Sequence, residues 1–159
     1  MTKPNTNAAE HELILKRVLD APKEKLYRCW TEPELIKQWF APKPFSVSKV
    51  ENDLRPGGGS TVVMRSPDGQ EFPNPGIYLE VVPNKRLVFT DAFLPGYIPT
   101  GEPFMVAEVT FEDAPGGKTQ YTAIARHWTA EAKQKHEQMG FHEGWGQCAT
   151  QLEELAKTL

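Results

Sequence analysis

Read for polarity alone, the chain begins its ordered pattern at Glu12-Leu-Ile-Leu-Lys-Arg-Val-Leu19, an apolar, β-compatible run that predicts a first strand. Asp20-Ala-Pro22 then opens a short helix, with proline in the first turn, where a missing N–H costs nothing. Leu26, Tyr27 and Trp30 form its inner face. A second short helix follows. Thr31 and Glu34 have the spacing of a capping box, Leu35, Ile36, Trp39 and Phe40 supply an apolar face, and Pro42 closes it.

From there the period falls to two. Strands are predicted at Phe45–Val50, Ser60–Ser66, Gly76–Val82, Leu87–Phe93, Phe104–Glu112 and Thr119–His127. The turns between them carry Arg55-Pro-Gly-Gly-Gly59, Pro67-Asp-Gly69, Pro83-Asn-Lys-Arg86 and Asp113-Ala-Pro-Gly-Gly-Lys118. Short strands with tight turns imply an antiparallel, curved sheet. The period returns to 3.6 at the end of the chain. Trp145, Cys148, Leu152, Leu155 and Leu159 stand three and four residues apart, one stripe of a long helix running from about Thr129 to Leu159 and bent at Gly140. The class is α+β: a curved antiparallel sheet wrapped around a long C-terminal helix, with two short helices after the first strand. Residues 1–10, polar and rich in Asn and Thr, are expected to be a flexible lead-in to a single domain over 11–159.

Composition narrows the function. The net charge of −3 lacks the basic footprint of a nucleic-acid binder. No apolar run reaches the roughly 18 residues of a membrane span. The Met1–Glu10 stretch has no signal-peptide core, so a cytoplasmic protein is expected. Cys29 and Cys148 read as reduced, buried thiols, with a disulfide between them as the lesser alternative. Of the 14 prolines, most punctuate turns. Three of them fall in Leu94–Pro103, a long connection whose Tyr97 and Ile98 suit a cavity mouth, a dimer contact or a rigid surface loop.

Several motifs fail. Gly117-Lys118-Thr119 resembles the tail of a phosphate loop, but Glu112 stands where the motif needs glycine, and the segment joins two strands. His136-Glu137 starts like a zinc-peptidase helix, but Gly140 replaces the second histidine; His136 and His142 point different ways and read as solvated. The Gly57–Gly59 run reads as a turn, and no nucleophile elbow occurs. No metal and no cofactor is expected.

One constellation remains. Alternation places Thr119, Tyr121, Ala123, Ala125 and His127 on one face of the last strand, and Met105, Ala107, Val109 and Phe111 on one face of its partner. Three alanines facing a helix leave room beside the polar tips of Tyr121 and His127, which is how a ligand cavity begins. The competing reading is a dense core in which Trp128, Met139, Phe141 and Trp145 fill that room. His127, if buried near Glu108, Asp91 or Glu80, would titrate near neutral pH; the competing reading is a histidine simply hydrogen-bonded at a strand end. Glu108 and Asp91 are themselves expected on the outer, solvated face.

Thr31-Glu-Pro-Glu-Leu-Ile-Lys-Gln-Trp-Phe-Ala-Pro42 resembles the Thr-x-Pro-Glu-x-Leu-x-x-Trp-Phe-x-Pro signature of the activator-of-Hsp90-ATPase-homologue-like family, with Ile36 in place of its leucine. Arg55–Gly59, Asp68-Gly69, Gly76–Glu80, Pro83–Leu87, Gly116–Thr119 and Gly144-Trp145 fall in order where that family has its turns and strand starts. The resemblance runs from about Leu13 to Leu159. It implies the helix-grip fold of the START-like superfamily, whose members bind apolar molecules in a cavity; some are cyclases or hydrolases. The eukaryotic namesake carries a separate N-terminal domain and serves Hsp90; stand-alone relatives of this size look bacterial.

The first expectation is therefore a binder of a small hydrophobic or aromatic molecule, with stress response as a setting. Trp39, Phe40, Tyr78, Phe89, Tyr121, Ala125, His127, Phe141 and Trp145 are its candidate lining. The second is an interaction module, a homodimer through the Tyr97–Ile98 loop or a chaperone partner. The third is a cyclase- or hydrolase-type enzyme using His127.

Overall fold

The computed structural model describes residues 11–159; the expected lead-in at 1–10 lies outside them. Nine strands and four helices follow one another along the described chain. They are β1 (Glu12–Leu19), α1 (Lys23–Thr31), α2 (Pro33–Ile36), β2 (Ser46–Asn52), β3 (Gly59–Arg65), β4 (Glu71–Val82), β5 (Arg86–Thr90), β6 (Phe93–Leu94), β7 (Ile98–Pro99), β8 (Val106–Ala114), β9 (Lys118–Arg126), α3 (Ala130–Gln138) and α4 (Phe141–Ala156). Seven strands form one antiparallel sheet in the order β1-β9-β8-β5-β4-β3-β2, and β6 and β7 make a separate ribbon. This is the helix-grip fold: the sheet curves around α4, and α1 and α2 bridge from β1 to β2.

Two β-bulges, between Val47 and Lys49 and between Tyr78 and Glu80, interrupt the ladder. An extra residue on one strand bends the sheet and raises its twist. Leu13, Leu15 and Leu19 of β1 face inward, as do Ala107, Val109 and Phe111 of β8 and Thr119, Tyr121, Ala123 and Ala125 of β9. They meet Leu26, Tyr27 and Trp30 of α1 and Phe141, Ala149, Leu152 and Ala156 of α4 in one apolar core. Arg17 shares the inward side of β1, and its guanidinium donates to the Gly146 carbonyl at 3.0 Å and to Thr150 Oγ1 at 3.2 Å. A Cβ at position 146 would lie 2.6 Å from that guanidinium, so glycine admits the contact.

Four expectations change. Thr31 does not cap the second helix: it ends α1, and its hydroxyl donates to the Tyr27 carbonyl at 2.9 Å. Pro33 keeps its predecessor out of the helical region, so Glu32, extended at φ −86° and ψ 120°, separates the two helices. β4 begins at Glu71, five residues early, and contains Pro73 and Pro75. β5 pairs with β4 only from Ile77, so residues 71–76 have one neighbour, and prolines are tolerated at such an open side. The predicted Leu87–Phe93 strand ends at Thr90, with Phe93 in the ribbon. Finally, the terminal helix is broken rather than bent: Gly140, left-handed at φ 96°, turns the chain between α3 and α4.

Candidate functional site

Between the sheet and the first half of α4 lies a cavity of about 410 Å³. Its position follows from side-chain size. The alanines of β9 are covered by core packing, with Phe141 and Trp145 but not Trp128 or Met139 among the residues that fill it. The space opens further across the sheet, over β3, β4 and β5, opposite Gly144, Trp145 and Cys148 of α4. Gly144 has no heavy atom within 4 Å of where its Cβ would stand. Glycine at that point leaves volume unfilled.

Aromatic rings dominate the wall. Trp30, Trp39, Phe40 and Phe89 form a connected cluster, with Trp30 at 4.9 Å from Trp39, 5.5 Å from Phe40 and 5.7 Å from Phe89. Hydrogen bonds fix the two indoles. Trp39 Nε1 donates to the Cys29 carbonyl at 2.8 Å, and Trp30 Nε1 donates to the Tyr121 hydroxyl at 3.2 Å. The loop after Trp39 is tied to α4 by Gln151, whose amide donates to the carbonyls of Trp39 and Ala41, each at 2.9 Å.

The polar groups are few and placed. Burial raises the pKa of the Tyr121 phenol, so it stays protonated. Burial likewise pushes the Cys148 thiol up to about 12, which leaves it an inert, apolar wall residue. Asp91 accepts from the backbone N–H of Phe104 at 2.9 Å and of Met105 at 3.1 Å. Among the described residues it is the one charged side chain in the wall, and no lysine or arginine borders the space.

Ser60, Asn74 and Thr90 add neutral polar groups, and a pair of histidines stands beside them. His127 Nδ1 lies 2.9 Å from the His11 carbonyl, and its Nε2 lies 2.8 Å from Nδ1 of His136. His136 borders the cavity and stands edge-to-face with Phe104 at 4.6 Å and Phe141 at 5.2 Å. Desolvation first, and the neighbouring His127 second, lower its pKa to about 4. It is a neutral imidazole at physiological pH.

Of the residues expected to line the cavity, Trp39, Phe40, Phe89, Tyr121, Phe141 and Trp145 border it. Tyr78, Ala125 and His127 do not. Tyr78 turns its hydroxyl to the Asn52 amide at 3.3 Å, Ala125 is fully buried, and His127 stands behind His136. His127 also meets none of the expected carboxylates. Glu108 bonds Arg86 and Arg126 on the outer face, with only 12% of its side chain exposed, and Asp91 turns inward. Trp128 and Met139 are exposed rather than core-filling.

Sequence reasoning missed Trp30, Asp91, Phe104, Gly144 and, above all, His136, which is buried rather than solvated. Ala132 and His136, at i and i+4, mark the inner side of α3. Among the described residues no three His, Cys, Asp or Glu side chains converge as a metal site, and no helix is long and apolar enough to cross a membrane.

The family described as Activator of Hsp90 ATPase homolog 1-like protein matches residues 20–157. No curated protein matches the chain. Among solved structures, protein NE0264 from Nitrosomonas europaea is 49% identical, with a TM-score of 0.90 over 94% of this chain and 96% of that one. Protein CV1439 from Chromobacterium violaceum is 26% identical, with a TM-score of 0.74 over 91% and 96% of the two chains. The AHSA1-like protein from Aeromonas hydrophila shares the fold at 19% identity, with a TM-score of 0.71 over 92% of each chain.

Proposed function

Since the chain belongs to the activator of Hsp90 ATPase homolog 1-like family, we propose that it binds a small hydrophobic or aromatic molecule in the cavity between α4 and the sheet. The observation that carries this reading is the cavity itself. Its volume of about 410 Å³ and its aromatic wall with few polar groups match what small-molecule sites need. Burial of apolar surface supplies the affinity, and the polar groups orient the ligand.

Trp30, Trp39 and Trp145 border the space, so indole emission reports occupancy. Naphthalene is a suitable neutral probe. Titration should give a saturable change in emission for the wild type. Gly144→Leu should weaken it at least tenfold, because the new side chain occupies the site. The same change replaces a helical glycine, which favours the helix by about 0.5–1 kcal/mol, so the melting temperature should not fall. Equal affinity in both proteins would place the probe elsewhere and sink this reading.

An interaction module, in the manner of an Hsp90 activator or as a homodimer, is the second reading. It is supported by Tyr97 and Ile98, which are 63% and 57% exposed on the β6–β7 ribbon. Sedimentation of the wild type and of Ile98→Asp checks the homodimer: a wild-type dimer converted to monomer supports it, and a monomer at high concentration removes it. A cyclase- or hydrolase-type enzyme using His127 with a carboxylate or Tyr121 is the third reading; His127 meets no carboxylate and reaches the cavity only through His136.

A further inference from the structure

The histidine pair has a direction that fixes which atoms meet the cavity. A backbone carbonyl only accepts hydrogen bonds, so His127 Nδ1 carries the proton that it shares with the His11 oxygen. In a neutral His127 the second nitrogen, Nε2, is then a lone-pair acceptor. The proton between the two rings therefore belongs to His136 Nδ1. That leaves His136 Nε2 without a proton and turned away from His127. No group among the described residues donates to it. Its ring stands in the cavity wall among Phe104, Phe141 and Trp145, with the last at 6.1 Å.

From this geometry we infer that His136 Nε2 is the polar anchor of the cavity, and that the molecule bound there is a neutral aromatic or alicyclic compound carrying a hydroxyl group that donates to it. The inference rests on the cavity-binding reading above. Two further observations select this chemistry. The wall offers no lysine or arginine to a carboxylate, and its one charge, Asp91, is negative, so an acidic ligand is repelled. The lowered pKa of His136 keeps Nε2 an acceptor throughout the physiological range. Nε2 is not among the enclosed side-chain atoms that lack a partner, so water reaches it in the empty cavity. A guest that covers it without supplying a donor strips that water away, so a ligand with a donor is favoured over its hydrocarbon analogue.

The test compares three probes of one ring system, naphthalene, 2-naphthol and 2-naphthoate, by tryptophan emission at pH 7.5. The wild type should bind 2-naphthol about tenfold more tightly than naphthalene, and 2-naphthoate more weakly than either. His136→Phe keeps a ring in the wall and should abolish the naphthol preference while retaining naphthalene binding. A variant that fails to fold is bypassed by a second measurement on the wild type. Two-bond proton–nitrogen correlation should show His136 Nε2 unprotonated in the free protein and shifted when 2-naphthol is added. Equal binding of naphthol and naphthalene, or a protonated Nε2, overturns the anchor and leaves the cavity reading standing. Binding of no probe overturns both.

Discussion

The histidine pair ties a single side chain to the stability of the whole. His136 titrates near 6.5 when unfolded and near 4 when folded, so between those values the unfolded chain holds the extra proton. Stability is complete above about pH 6.5 and falls as pH drops toward 4. The shift corresponds to a loss on the order of 3 kcal/mol across that window. Urea titrations at pH 7 and at pH 4.5 should show the loss for the wild type. In His136→Phe the part owed to this ring disappears, so the difference between the two pH values should shrink. An undiminished difference would assign the acid sensitivity to other groups.

At the scale of elements, the ends of the helices decide what moves. Thr129 caps α3, its hydroxyl accepting from the Ala132 N–H at 3.0 Å. His136 is the one side chain of α3 that is fully buried. A short helix with one buried residue depends on its cap. Thr129→Ala should cost about 1 kcal/mol locally. It should raise amide exchange over Ala130–Gln138 while leaving α4 unchanged. Uniform exchange in both helices would refute the separation at Gly140.

Periodicity made the strands and the α4 stripe legible, because each buries one side against one core. It could not show that Gly140 adopts φ 96° and divides one predicted helix in two. Nor could it tell that Pro33 moves the helix boundary past Thr31. The candidate site was legible as aromatic residues but not as a place. Trp39, Phe40 and Trp145 border the cavity, whereas the alanines that suggested it are packed over. His136 escaped notice because its burial depends on a partner nine residues away, His127, and on Phe104 from another element.

Across the whole molecule, the outer side of the sheet carries a row of alternating charges, one from each of five neighbouring strands. Glu12 meets Arg126 at 2.7 Å, Arg126 meets Glu108 at 2.8 Å, Glu108 meets Arg86 at 3.2 Å, and Arg86 reaches Glu80 at 3.6 Å. The central member, Glu108, is nearly enclosed and serves two arginines. Glu108→Ala removes a shared partner from both, leaving Arg126 with Glu12 and Arg86 with the longer Glu80 contact, and should lower stability by about 1–3 kcal/mol. Asp113, 80% exposed in its pair with Lys23, offers the contrast: Asp113→Ala should change stability by no more than about 0.5 kcal/mol. Denaturant midpoints of the two variants check the ranking, and equal effects would deny the row any special weight.

The anchorage of α3 also bears on time rather than affinity. One wall of the cavity is a braced sheet, and part of the other is a nine-residue helix whose contacts include the His136–His127 bond and the Glu137–His142 pair. If a guest binds there, loosening of that helix would widen an opening the cavity already has, and residence time would depend in part on how often those contacts let go.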